Sequence, residues 1–536
     1  MIITPIRLIL LFFVCLFTIS AIKIYSQTPI WIDTYNTSSN LDDEGRKIAI
    51  DRAGNIICAG YVTFSGSKGN ARSYLIIKYN QSGSRLWTLV TGSSGSSSTL
   101  NDLKIDTFNN IYVTGSVIQS STYTVKISSG GTIIWSRNHN STGGRSLTLD
   151  KIGNIYVASI VGNRYCIIKY NNNGNFIWER INGSGNFDNP EEIVCDDSLN
   201  VYVTGQIGVA YATMKYDSAG TLRWLKTYYG GNNDSWASSL KVDNAGNTYV
   251  TGTSYANGTF YDIATVKYNS TGEQIWVTRF TGIGGNAEDV GYKLILDDSS
   301  NVYVTGFSWR GLSFREDYVT IKYDSTGNQI WASTYNGTAN KRDVSVDLTL
   351  DRFNNVFVTG FTNYELGYQT DNITTIKYSN SGNLIWVANY NGPANLIDRG
   401  SSIITDSIGN VYVTGTSKGN GTNLDYITLK YSSLTGIIIN TNFSSKFSLS
   451  QNYPNPFNPV TKIRFSLPLP SKGGLQAVKF VIYDILGREI TTLINEQLNP
   501  GTYEVEWDAS NNSGGVYYYK LMAGEYIEAK KMVLVK

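Results

Sequence analysis

A single histidine, His139, stands in a chain of 536 residues, which leaves no cage of several histidines and almost no room for Ser-His-Asp or Cys-His chemistry. Cysteine is nearly as scarce. Cys15 lies within an N-terminal apolar run, while Cys58, Cys166 and Cys195 are far apart without a CxxC, so neither a disulfide framework nor a thiolate metal motif is visible. Each reads as a small buried apolar side chain. Charged residues are only 16% and the formal net charge is +2, with no basic stripe to neutralise phosphates, so nucleic acid is excluded as a partner. Long apolar runs are also missing. The longest, Leu8 to Ile19, is too short to anchor in a bilayer, so no transmembrane segment is expected once it is cleaved. No catalytic residue, cofactor or metal site is assigned from these counts.

Glycine (52), tyrosine (38) and tryptophan (11) are plentiful, a composition that favours pleated strands and glycine turns. They are also periodic. An Asp followed four residues later by Asn occurs as Asp51/Asn55, Asp106/Asn110, Asp150/Asn154, Asp196/Asn200, Asp243/Asn247, Asp297/Asn301, Asp351/Asn355 and Asp406/Asn410, which is eight copies. Successive differences are 55, 44, 46, 47, 54, 54 and 55 residues. After each comes a YVTG-like run, then an IKY-like run, then a turn glycine with a tryptophan four residues on: Trp87, Trp135, Trp178, Trp224, Trp276, Trp331 and Trp386. With the run before each Asp, this is four strands per copy, the mark of a β-propeller blade.

The eighth copy has Gly436 but Asn440 where the tryptophan should stand. Trp31, in Pro29-Ile-Trp31-Ile-Asp-Thr-Tyr35, carries the missing strand near the other end of the chain and is expected to close an eight-bladed ring, with Ile437 to Asn440 as its competitor. Each tryptophan would be a wedge between neighbouring blades. The Asp/Asn segment suits a hairpin turn, since a calcium loop needs more oxygen ligands than one Asp per copy.

Met1 to Gln27 reads as an export signal, with Arg7 ahead of the apolar run and Ser20, Ala21 and Ser26 as cleavage points. Residues 28–440 are the expected propeller. From about Thr441 the composition changes, with Pro454, Pro456 and Pro459 followed by six short strand signals between Thr461 and Val535, which suggests a small Ig-like β-sandwich over 441–536.

Loop lengths point to a working face. The Asp-to-Asn and IKY-to-Trp links are short and constant, whereas the YVTG-to-IKY and Trp-to-Asp links vary, and in an up-and-down blade the variable links all emerge on one side. Trp309, Arg310, Phe314, Arg315, Tyr364 and Tyr368 are the candidate binding residues there. A second Asp, eight residues before the turn Asp, recurs as Asp43, Asp188, Asp289, Asp343 and Asp398; these could form an acidic ring that binds a ligand or cation, or could cap loops.

The pattern D-x-x-G-N-x-YVTG…IKY-x-x-x-G-x-x-x-W resembles the bacterial β-propeller repeats called SBBP repeats, over about residues 28 to 440. Copy three departs from it with Ser159 for Gly and no upstream Asp, and copy two with Val125-Lys-Ile127 for IKY. The tail resembles the type IX (Por) secretion sorting domain, through Asn452-Tyr-Pro-Asn455-Pro456-Phe-Asn-Pro459, Tyr483-Asp-Ile-Leu-Gly487-Arg488, Pro500-Gly501-Thr-Tyr503, Gly515-Val-Tyr517 and Lys531-Met-Val-Leu-Val-Lys536. That likeness implies passage through the periplasm, recognition of the tail by type IX machinery, and release or surface attachment.

The leading functional reading is a secreted or surface-displayed, non-catalytic, monomeric scaffold that binds an extracellular glycan, peptide or protein. The alternative is a propeller enzyme. Tyr323-Asp-Ser-Thr-Gly327-Asn-Gln-Ile-Trp331 is similar to the tryptophan-docking repeats of quinoprotein dehydrogenases, and a polysaccharide lyase or glycosidase would need Arg, Tyr and carboxylates converging from several blades.

Overall fold

The Asp/Asn segment of each copy makes its own hairpin. In repeat 1, Asp51 Oδ1 accepts from the backbone N–H of Ala53 (2.9 Å) and Asn55 (2.8 Å), and the Asn55 amide donates to Oδ2 (2.9 Å). Where a tyrosine follows six residues after the Asp, its phenol donates to Oδ2 as well, as in Tyr112 to Asp106 (3.0 Å) and Tyr202 to Asp196 (2.9 Å). The carboxylate is thus engaged within its own turn, which is a hairpin device.

The computed structural model describes residues 25–536 except 67–68, 93–97, 118–120, 232–233, 284–286, 312–314, 365–369, 433–445, 469–475, 499 and 510–511. Repeat 1 is an antiparallel sheet of Glu44–Ile50, Ile56–Phe64, Ala71–Tyr79 and Arg85–Thr91 in sequence order, and repeats 2 to 7 keep that order. In repeat 8, Asp398–Thr405, Val411–Lys418 and Leu424–Tyr431 are completed by Trp31–Tyr35, with Trp31 opposite Lys430 and Tyr35 opposite Tyr426. Ile437 to Asn440, the competing closure, and the export signal up to residue 24 lie outside the described residues. Tyr25–Ser26 runs parallel to Leu384–Tyr390.

The first strand of each sheet packs beside the first strand of the next, and Asp398–Thr405 packs beside Glu44–Ile50, so the order of neighbours returns to its start. That is a β-propeller. One grip recurs at the joints. The indole N–H donates across to a turn carbonyl of the following repeat: Trp87 to Ser129 (3.1 Å), Trp135 to Asn172 (3.0 Å), Trp276 to Ser325 (3.2 Å). The lysine of IKY reaches the same oxygen, as Lys78 to Ser129 (3.0 Å) and Lys267 to Ser325 (3.0 Å). At the closing joint Trp31 (3.3 Å) and Lys430 (3.1 Å) both donate to Gln81 O. The next turn glycine lies against the indole: a Cβ on Gly83 would sit 2.8 Å from Trp31, and one on Gly327 2.8 Å from Trp276.

The glycine of YVTG has a different cause. A Cβ there would meet the carbonyl oxygen of the neighbouring inner strand at 1.8 Å on Gly60 and Gly306 and at 2.0 Å on Gly115 and Gly205. Repeat 3 carries Ser159 because its inner strand is only Ser146–Leu149, leaving room for a side chain.

The tail forms two sheets, Ser448–Leu449 with Val460–Leu467 and Gly501–Asp508, and Glu489–Leu498 with Gln476–Asp484, Gly515–Ala523 and Tyr526–Leu534. They share a core that includes Phe465, Phe480, Trp507 and Tyr519.

Trp31→Ala should lower stability by about 3 kcal/mol, and deleting residues 28–36 should free the edge of Leu424–Tyr431 for intermolecular pairing. Melting curves and size-exclusion profiles measure both; an unchanged, monodisperse deletion variant would remove the closing role. Gly306→Ala should cost about 3 kcal/mol or more, because backbone, not a flexible side chain, blocks the added methyl.

Candidate binding site at the mouth of the ring

The eight-before aspartates are loop staples. Asp343 accepts from the backbone N–H of Gly337 and Asn363, Asp43 from Thr37 and Thr63, Asp289 from Gly282 and Trp309, and Asp188 from Gly185 and Gly208. Asp398 accepts from Gly392. All five are buried, and Asp343, Asp43, Asp289 and Asp188 each tie the loop entering an inner strand to the hairpin loop of the same sheet, while Asp398 holds the entering loop through Gly392. This corrects their reading as binding residues: a carboxylate filled by backbone donors has no face for a ligand.

The other candidates divide. Arg310 pairs with the buried Asp317 (3.0 Å), so its charge is neutralised inside the loop, and Arg315 holds a left-handed backbone with φ of 50°. Trp309 ends its strand half-buried, its N–H on Asp289. Phe314, Tyr368 and the side chain of Tyr364 lie outside the described residues.

What the sequence reading missed is the residue five before each turn Asp. The inner strands carry a bulge there, seen as register shifts between Gly45/Lys47, Leu100/Asp102, Pro190/Glu192, Gly291/Lys293, Ser345/Asp347 and Gly400/Ser402. An extra residue turns its side chain out of the ladder, and the positions so released include Arg46, Asn101, Glu191 and Tyr292. The signal was present in the sequence: this position varies from copy to copy inside an otherwise regular strand.

Arginines lie over aromatic rings around the opening: Arg72 over Tyr61 (4.4 Å), Arg399 over Phe361 (4.9 Å) and Arg342 over Phe307 (5.8 Å). Each aromatic directly follows the YVTG glycine. Beside them repeat 5 gathers Trp236, Tyr255, Phe260 and Tyr261, with Trp236–Tyr261 at 5.5 Å and Phe260–Tyr261 at 4.8 Å between ring centroids. Phe260 is 46% exposed, and φ of 71° places it where a bulky residue seldom goes. Strain of this kind persists where surrounding structure imposes it; here Phe260 and Tyr261 pair with Ala287 and Glu288 of the next repeat.

Below the mouth the hub is filled by charge. Lys293 reaches across repeat 5 to Glu192 (2.7 Å), which also holds Lys241 (2.9 Å), Ser239 Oγ (2.6 Å) and Leu240 N (2.9 Å). Asp102 likewise takes Ser146 Oγ and Leu147 N, and Asp347 takes Ser402 Oγ and Ile403 N. The two lysines keep Glu192 well below the usual carboxylate range despite its burial. Three of the arginines at the mouth are paired too: Arg46 with Glu44 (3.0 Å), Arg342 with Glu316 (2.8 Å) and Arg399 with Asp371 (2.5 Å). Burial pushes the Cys58 and Cys166 thiols up to about 12, so neither is a nucleophile as it stands. On the tight-turn side a polar cleft of about 240 Å³ opens between the Asp196 and Asp243 turns, but its walls are the hairpin devices already described.

Residues 451–536 match the family model described as a secretion system C-terminal sorting domain. No curated protein matches the chain. Among solved structures, the chain is similar to the Dos1 propeller at 11% identity, over 75% of this chain and 96% of that one, with a TM-score of 0.47. A protein of unknown function from Bacteroides caccae is matched at 14% identity over 53% and 97%, with a TM-score of 0.32, and one from Lactobacillus plantarum at 12% over 72% and 95%, with 0.31. The propeller assignment rests on the strand pairing above. The sorting domain directs the protein through the type IX system to the cell surface or the medium. Its motif is partly displayed: Asn455 Oδ1 accepts from Val533 N (3.0 Å), Tyr517 donates to Ser513 O (2.7 Å), and Gly487 takes the left-handed position of a turn closed by Asp484 and Arg488. Pro456 and Lys531 are exposed, while Gly501 and Gly515 begin strands.

Burial pushes Asp343 up to about 7 from 3.8, and Asp43, Asp289 and Asp398 up to about 6. A folded-state value above the unfolded one means the protonated form favours folding. The stabilisation is complete below about pH 4 and is lost as pH rises to about 7. Raising pH from 4 to 8 should therefore lower the melting temperature of the wild type relative to Asp343→Asn, with an upper limit of about 4 kcal/mol at ~1.4 kcal/mol per pH unit. Melting both proteins across this range checks the slope, which a constant offset from the substitution leaves untouched.

Proposed function

We propose that the repeats form an eight-bladed propeller of the SBBP type, closed by Trp31–Tyr35, which binds an extracellular glycan at its mouth without catalysis. In this reading residues 1–27 are the leader, 28–440 the ring and 441–536 an Ig-like tail read by the type IX machinery. The observation that carries it is the cluster of Trp236, Tyr255, Phe260 and Tyr261, with Tyr261 opposite Glu288 of the next repeat, whose inner strand also presents Tyr292, 37% exposed. Flat aromatic faces stack on sugar rings, and the surrounding Arg and Glu side chains offer donors and acceptors to hydroxyls. The salt bridges at the mouth favour recognition over chemistry, because a paired arginine is a positioned donor and not a free charge.

A glycosidase-like reading draws on Tyr292, Glu288, Glu316 and Arg342 coming together from two repeats. Burial raises Tyr292 and Glu288 above their usual ranges, with Arg342 opposing. A phenol so raised is a poor nucleophile at neutral pH, which sets this reading second.

A glycan array probed with the purified protein should give hits that Trp236→Ala and Phe260→Ala weaken about tenfold each; hydrolysis of any arrayed polysaccharide would instead establish the enzyme. Truncation after residue 440 should leave the protein in the periplasm, as fractionation and immunoblotting would reveal, and unchanged export would remove the sorting role of the tail.

A further inference from the structure

The one histidine of the chain does not stand alone. His139 ends the outer strand of repeat 2, and its Nε2 lies 3.2 Å from Glu179 Oε2 on the outer strand of repeat 3. Cys166, on the strand next to Glu179, places its Sγ 3.8 Å from the same oxygen, and the three ligand atoms all lie within 4.8 Å of one another. We propose that His139, Cys166 and Glu179 form a zinc-class metal site that bridges repeats 2 and 3, with water in the fourth position.

The chemistry of the set is specific. One imidazole, one thiolate and one carboxylate suit Zn²⁺, whose bonds of about 2.0–2.3 Å place tetrahedral ligand atoms about 3.3–3.8 Å apart. Two of the separations already fall in or near that range, and the third, between His139 and Cys166, is no more than 4.8 Å and closes as those two side chains turn toward the ion. The imidazole is also oriented from behind. Nδ1 is 2.9 Å from Ser141 Oγ, which bonds Thr122 Oγ1 (2.8 Å), while Ser159 Oγ joins the same network at 2.7 Å from Thr122 and 2.9 Å from Ser141. An outer partner on one ring nitrogen that leaves the other facing its co-ligands is the usual second layer of a metal site.

The site also falls where the repeat is broken. Ser159 occupies the position that is glycine in the other seven copies, and it fits because the inner strand of repeat 3 is short. Copy three thus lacks the Asp staple that secures repeat 4 and the full inner strand that both neighbours have. A cation joining His139 to Cys166 and Glu179 would offset that loss across the same joint. The reading does not depend on the aromatic cluster at the mouth, whose residues lie on repeat 5.

The test is Co²⁺ titration of the metal-stripped, reduced full-length protein. The expected result is one equivalent bound, with intense tetrahedral d–d bands and a thiolate-to-cobalt charge-transfer band, all displaced by Zn²⁺. Cys166→Ser should abolish the charge-transfer band, His139→Gln and Glu179→Gln should weaken binding at least tenfold, and Cys58→Ser should change nothing. Zn²⁺ should raise the melting temperature of the wild type but not of His139→Gln, whose metal-free melting serves as the folding control. Absence of the band, its persistence in Cys166→Ser, or wild-type affinity in His139→Gln would overturn the proposal and leave a simple His–Glu pair.

Discussion

The ring depends on a lateral hold repeated at seven joints among the described residues: an indole N–H and a lysine ammonium from one sheet meet a single turn carbonyl of the next, and at six of them a glycine is flattened against the indole face. Sheets packed face to face would otherwise slide, since apolar burial has no direction. A charge-assisted hydrogen bond from Lys78 beside one from Trp87 fixes the register of repeat 1 against repeat 2, and the same pair from Lys430 and Trp31 fixes repeat 8 against repeat 1. The closing joint uses strands from opposite ends of the domain, so the ring is completed only when the whole domain has folded.

With registry settled at the rim, the hub is left to carry charge. Inner strands converge there too closely for large apolar side chains, and the position four before each turn Asp is filled by Lys47, Asp102, Glu192, Lys293 and Asp347, with serines between. Asp102, Glu192 and Asp347 each cap the serine and N–H of the following repeat. Buried charges of this kind are tolerated because each carboxylate is met by several donors. The bulge one residue earlier lifts Arg46, Glu191 and Tyr292 toward the mouth, so the charged plug and the side chains of the mouth are made by adjacent positions of one strand.

Departures from the repeat are informative in the same way. Ser159 and the short inner strand of repeat 3 abandon two devices together, the glycine contact and the Asp staple, and the space so created holds a hydroxyl network that orients the only histidine. Repeat 5 departs differently: its hairpin from Thr248–Ala256 to Phe260–Tyr268 carries the aromatic cluster of Tyr255, Phe260 and Tyr261.

The sequence alone determined the turns and the four-strand unit, local motifs whose cause lies within one repeat; the missing eighth tryptophan pointed to Trp31, and the ordered motifs of the tail to a sorting domain. The eight-before aspartates show the limit. Their spacing was legible, but whether they faced a ligand or a backbone depended on Gly337 and Asn363 converging on Asp343 from two loops. Tertiary structure alone decided the bulged ring of the mouth, the reach of Lys293 to Glu192 across an intervening repeat, and the meeting of His139 with Cys166 and Glu179. These contacts join residues about 30 to 100 apart through the curvature of the ring, and no spacing rule encodes an angle between sheets.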